Sequence, residues 1–126
     1  AKHTNPRLQV IGVQSEQSQA AHLAWQSGQP AVAPNLTRAE GLSTGSSFDL
    51  PQRILRRLLD DFLLVADDEL DEANRTMIEK TRTLVEGAGS AALAGALKLD
   101  LRGKRVALIC SGGNLSPGQL SALFAR

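Results

Sequence analysis

Val106-Ala107-Leu108-Ile109-Cys110-Ser111-Gly112-Gly113-Asn114 is the stretch whose reading decides the fold. An unbroken apolar run passes directly into small residues, and Ser116-Pro117 opens a helix just beyond. A continuous apolar run bounded by turn residues reads as a buried strand, and proline suits the first turn of a helix. Strand, turn and helix in that order put the turn where open α/β sheets bind ligands. Ser111 offers a hydroxyl there, Gly112 and Gly113 let backbone approach a ligand closely, and Asn114 adds an amide at the rim.

The same alternation extends upstream. Leu8 to Val13 reads as a second buried strand, followed by a helix through Ser27 with Ala20, Ala21, Leu23, Ala24 and Trp25 inward and Gly28 at its end. Gln29 to Ser47 reads as a long loop with one short strand around Ala31 to Ala33. Leu50 to Leu59 is a helix with apolar residues at helical spacing and Arg53, Arg56 and Arg57 as its solvated face. Asp60-Asp61 breaks it, and Phe62 to Val65 is a short strand.

The clearest helix is predicted from Asp67 to Val85, with Leu70, Ala73, Met77, Thr81 and Leu84 inward. Acids crowd its start and Lys80 and Arg82 lie near its end, matching the helix dipole, and Asp71 with Arg75 makes an i, i+4 pair. A small-residue helix is predicted over Ser90 to Leu97. The pattern gives a single α/β unit: a mostly parallel open sheet with helices on both faces.

Composition narrows the functional classes. In 126 residues, 14 Lys and Arg stand against 13 Asp and Glu, so the charge pattern lacks the basic footprint of a nucleic-acid or anionic-membrane partner. Neither a membrane-spanning apolar run nor a signal-peptide core is visible, which leads us to expect a cytoplasmic protein. The chain opens on Ala1 without a methionine and is expected to be a fragment. Cys110 reads as a small buried hydrophobe at a strand end.

Familiar catalytic signatures are otherwise missing. His3 and His22 lack metal-ligand spacing, and consecutive acids on a helix point in different directions, so no metal site is expected. There is no nucleophile elbow or P-loop, and Gly87-Ala88-Gly89 follows a helix where a dinucleotide fingerprint needs a strand. Read from residues alone, the Ser111 to Asn114 turn and the helix after it suit a small anion in a non-catalytic module, or a remnant domain.

Combination sharpens this. Val85-Glu86-Gly87-Ala88-Gly89-Ser90-Ala91-Ala92 followed by Cys110-Ser111-Gly112-Gly113-Asn114 resembles the closing signature of the fold type II pyridoxal-phosphate enzymes, particularly the threonine and serine dehydratases. Val10-Ile11-Gly12-Val13, Arg38-Ala39-Glu40-Gly41-Leu42 and Leu59-Asp60-Asp61-Phe62 are similar, in order, to three earlier segments of that family. The likeness spans nearly the whole chain and implies the C-terminal half of the catalytic region, within the large domain of a tryptophan synthase beta-like fold.

The resemblance implies roles. Ser111 would hydrogen-bond the pyridine nitrogen of pyridoxal 5'-phosphate, Gly41 would pass beside the ring, and Glu86 would be the acid near the cofactor, with Gly112, Gly113 and Asn114 completing the turn. It implies a small amino-acid substrate, L-threonine or L-serine, with serine racemisation as the alternative, and we expect a homo-oligomer because strand edges would otherwise lie open. The family's Schiff-base lysine and glycine-rich phosphate loop have no counterpart here, since Lys2, Lys80, Lys98 and Lys104 lack the motif. The chain alone is therefore expected to be inactive. Gln14 and Ala20 stand where metal-binding members carry acids, which argues against that cation site.

Overall fold

A computed structural model describes residues 1–125. Two parallel strands, β1 (Ile11–Ser15) and β2 (Asp61–Val65), pair in register from Ile11 opposite Asp61 to Ser15 opposite Val65. Between them the chain forms α1 (Ala20–Ser27), a long loop and α2 (Asp49–Leu58). Three further helices follow, α3 (Asp67–Thr81), α4 (Gly87–Leu97) and α5 (Pro117–Phe124).

Side-chain alternation along the strands assigns the faces. Phe62 meets the rings of His22 and Trp25 on α1, while Val13, one position out of phase with Phe62's partner Gly12, packs on Gly95 of α4. Helices thus cover both faces of the parallel pair, the α/β arrangement expected. The core lies on the α4 side, where Ala39, Val65, Leu70, Ala73, Ala91 and Ala94 cluster, with Val13, Leu42 and Leu93 at its margin. Small residues on α4 are what let it sit so close: a Cβ on Gly95 would lie 2.6 Å from Val13 Cγ2.

Several expectations need correction. Val106 to Ile109 forms no strand, and Val106, Leu108 and Ile109 are exposed, as is Cys110. A strand exists only with a neighbour to complete its hydrogen bonds, and among the described residues nothing pairs with this segment. The short strand near Ala31 to Ala33 is a single antiparallel bridge, Val32 to Ser46.

The helix predicted to run to Val85 stops at Thr81, because Arg82 takes a left-handed φ of 59°. Thr81 and Leu84 consequently face solvent, and α4 begins at Gly87, three residues early. Arg75 bonds Glu72 instead of Asp71, and Asp71 pairs with Arg38 at 2.7 Å. On α2 the expected faces hold in part: Arg53, Arg56 and Arg57 are exposed and Leu55 and Leu59 are half-buried. Gln52 is buried and donates to the α1 carbonyl of Ala21 (2.9 Å), and Arg56, though exposed, reaches that of Ala24 (2.8 Å), while Leu50, Ile54 and Leu58 are exposed. Ala24 O already accepts from Gly28 N at the end of α1, so Arg56 supplies a second donor to a carbonyl that has two lone pairs.

The left-handed turn at Arg82 yields a stability prediction. Glycine adopts this conformation without the Cβ penalty that arginine carries, so Arg82→Gly is expected to stabilise the fold by about 0.5–1 kcal/mol in urea unfolding.

Candidate functional site

Three chain segments meet at one end of α4. The first is the Ser111 to Asn114 turn. Gly112 lies against α4 so closely that a Cβ on Gly89 would collide with its carbonyl, and a Cβ on Gly112 would collide with the Glu86 carboxylate. The backbone N–H of Glu86 donates to Gly112 O at 3.3 Å, and a Cβ on Gly113 would sit 2.6 Å from Leu84 O. Backbone-to-backbone contact of this kind is open only to glycine.

Arg38 to Leu42 is the second segment. A Cβ on Gly41 would lie 2.7 Å from the Cβ of Ala88, and Gly87 packs on Ala39, so the loop rests on the same turn of α4 that receives Gly112. The third is Glu86 itself, half-buried just before α4. Asn114 lines an open cleft of about 450 Å³ together with Glu40, Ser116 and Gln119. Ser116 caps α5, accepting from Gln119 N at 3.2 Å, while Gln119 Oε1 accepts from Ser116 N at 2.8 Å, which fixes the chain leaving the turn.

The structure therefore brings Gly41, Glu86, Gly112, Gly113 and Asn114 into one neighbourhood, with Ser111 exposed on the turn that joins them. No side-chain hydrogen bond engages Ser111 among the described residues, so its hydroxyl is available to a ligand.

Asp67 is the residue that sequence reasoning misses. Its position groups it with the acids that favour a helix start, yet it is only 5% exposed. Its carboxylate accepts from Thr37 Oγ1 (2.6 Å), Arg38 N (2.6 Å) and Ser15 Oγ (2.9 Å), tying the end of β1 and the loop before Gly41 to the start of α3. Burial works to raise its pKa, but the bonds from Arg38 N, Thr37 and Ser15 and the Arg38 charge outweigh burial and hold the carboxyl below the usual aspartate range. The signal is recoverable only from the register that sets Ser15 opposite Val65, two residues before Asp67.

Gln14 and Ala20 are buried in structural work. Gln14 Oε1 accepts from His22 N at 2.9 Å, and Ala20 is fully enclosed. Among the described residues no group of three or more His, Cys, Asp or Glu is arranged to hold a metal ion, and no helix is long and apolar enough to cross a membrane.

A family model described as pyridoxal-phosphate dependent enzyme matches residues 1–112. The chain belongs to this family. It is 31% identical over 127 residues to an L-threonine ammonia-lyase of Thermotoga maritima, covering 99% of this chain and 32% of that protein. Among solved structures it superposes on a T.th. threonine deaminase with a TM-score of 0.84 at 34% identity, covering 91% of this chain and 42% of the other. Maize serine racemase gives a TM-score of 0.85 at 26% identity, over 96% of this chain and 40% of that one. The chain spans about a third of the length of the curated relatives it matches. The fold is that of the fold type II pyridoxal-phosphate enzymes.

Two outcomes test the geometry of this pyridoxal-phosphate enzyme segment. Gly89→Ala should push Gly112 away and weaken cofactor retention about tenfold or more in the full-length protein, read by cofactor absorbance after dialysis. Asp67→Asn should cost about 1–3 kcal/mol at neutral pH, the scale of a broken buried hydrogen-bond set. Because the native carboxyl titrates below its unfolded value, that stabilisation is present above about pH 4 and is lost as pH falls through the native pKa. The gap between wild type and variant should therefore be widest at neutral pH and close in acid, as urea titrations across pH would show.

Proposed function

We propose that this chain is the C-terminal part of the catalytic region of a pyridoxal-phosphate-dependent L-threonine/L-serine dehydratase, which eliminates water from the hydroxy amino acid and then releases ammonia and a 2-oxo acid. The observation that carries the reading is the docking of the Ser111 to Asn114 turn onto Glu86 and Gly89, with Gly41 on Ala88, which lies between them on the same turn of helix. Names of the relatives support it, since the proteins matched over nearly all of this chain include L-threonine ammonia-lyases and dehydratases.

The residues present suit a flat heteroaromatic ring. Gly41 and Gly112 rest their backbone directly on Ala88 and Glu86, which holds the loop and the turn at a fixed spacing beside α4, and the free hydroxyl of Ser111 can donate to a ring nitrogen. When bound, pyridoxal phosphate supplies an electron sink for bonds at the substrate's α-carbon. Ser111 tunes that sink. A neutral hydroxyl would not keep a proton on the ring nitrogen as a carboxylate would, which would favour loss of the β-hydroxyl over transamination. Gly41 keeps the space beside the ring clear, and Glu86, anchored through its own N–H to Gly112, holds a carboxylate at the rim of the same turn.

Activity belongs, in this reading, to the full-length protein, and the present chain by itself is inactive. The exposed apolar run from Val106 to Ile109 supports burial of this edge in that protein and its self-association. Serine racemisation is the second reading, favoured by the fit to maize serine racemase. Incubating the full-length holoprotein with L-threonine or L-serine separates them: 2-oxo acid and ammonia support the dehydratase, D-serine as main product supports the racemase, and neither product sinks both. Ser111→Ala should lower 2-oxo acid formation about tenfold or more, the equivalent of one lost hydrogen bond of roughly 1.4 kcal/mol.

A further inference from the structure

Behind the Arg38 loop lies a cavity that the proposed chemistry does not use. It encloses about 250 Å³ between α3, α5 and the Arg38–Ala39 and Gly87 backbone, and its roof is held by Arg75 Nη1, which donates to Leu123 O at 3.0 Å. Leu70, Leu115 and Leu123 give it an apolar side. Arg38, Asp67, Asp71 and Asn74 give it a polar one.

Asn74 is the informative residue. It is 2% exposed, and its Oδ1 is one of three buried side-chain atoms among the described residues without a hydrogen-bond partner. The other two, His22 Nδ1 and Gln52 Oε1, do not line this cavity; Asn74 does. A buried amide oxygen left unpaired is costly, and buried polar groups are ordinarily satisfied by protein, water or ligand. Leucine or methionine would fill this helix position without that cost, so a partner for the amide is the missing element.

Charge indicates the partner's chemistry. Arg38 brings one positive charge to the wall, against two negative charges from Asp67 and Asp71. Both Asp67 oxygens are occupied by Ser15, Thr37 and Arg38 N, and Arg38 engages Asp71 through Oδ2, which leaves Asp71 Oδ1 without a bond among the described residues. Asn74 Oδ1 and Asp71 Oδ1 are thus open acceptors beside the amide nitrogens of Asn74 and Gln119, and the net negative charge of the cavity, next to an apolar wall, selects a cation among the donors that could answer them. We propose that this cavity is a binding site for a small ammonium compound with a short aliphatic body, its N–H donated to Asn74 Oδ1 and its charge matched by Asp71. The site stands apart from the proposed activity and does not depend on it.

Trimethylammonium is a suitable probe. It carries one N–H, and as a tertiary amine it cannot condense with an aldehyde, so its binding is independent of chemistry at the cofactor. Ligand-observed NMR titration of the full-length holoprotein is expected to show saturable binding, with tert-butanol, a neutral molecule of similar shape, at least tenfold weaker. Asn74→Leu should weaken trimethylammonium binding tenfold or more. Asp71→Asn, at a half-exposed position that tolerates change, should do the same and keeps the test valid if the Asn74 variant does not fold. Equal affinity for tert-butanol, unchanged affinity in the Asp71 variant, or no saturation in the full-length protein would each overturn the proposal.

Discussion

The carboxylate of Asp67 joins three parts of the chain that are far apart in sequence: Ser15 at the end of β1, Thr37 and Arg38 in the long loop, and the first residue of α3. Removing a carboxylate from water is expensive unless its lone pairs are answered, and here three donors answer them. The cost of leaving any one unanswered is what makes the loop adopt a single path. Gly41 lies three residues beyond Arg38, so its placement beside α4 inherits that constraint. A network of this kind adds less to net stability than to uniqueness of structure.

α4 complements the clamp by what it lacks. Its Gly87, Ala88, Gly89 and Gly95 present almost no side chain, and Ala39, Gly41, Gly112 and Val13 close onto it from different directions. The driving force is shape and the burial of many small contacts in place of a few large side chains. One consequence is functional: the loop with Gly41 and the turn with Ser111 are both referenced to the same turn of helix, so their separation is set by backbone and not by flexible side chains. Placing binding groups on rigid backbone is how a site keeps the geometry a planar ligand needs.

Local signals were legible wherever an element satisfies itself. α1 ends at Gly28, which takes a φ of 75°, and α5 begins at its Ser116 cap with Pro117 inside, both as the residue types require. The family motifs were legible too, because a Ser-Gly-Gly turn and a Glu-Gly-Ala-Gly run keep their spacing in sequence. What failed were readings that needed a partner. Val106 to Ile109 has the composition of a buried strand, but hydrogen-bonding neighbours make a strand, and composition alone does not supply them. Arg56 reads as solvated charge until the end of α1 is brought within its reach.

By itself, then, the sequence determined the helices, the α/β alternation and the family motifs, since propensity, capping and motif spacing are properties of neighbouring residues. Tertiary structure alone decided that Gln52 is buried against α1, that α3 stops at Arg82, and that an acid in a run of acids is the anchor of the loop. Each of those outcomes turns on which groups are left without hydrogen bonds once the chain is packed, and that is settled only when segments distant in sequence meet.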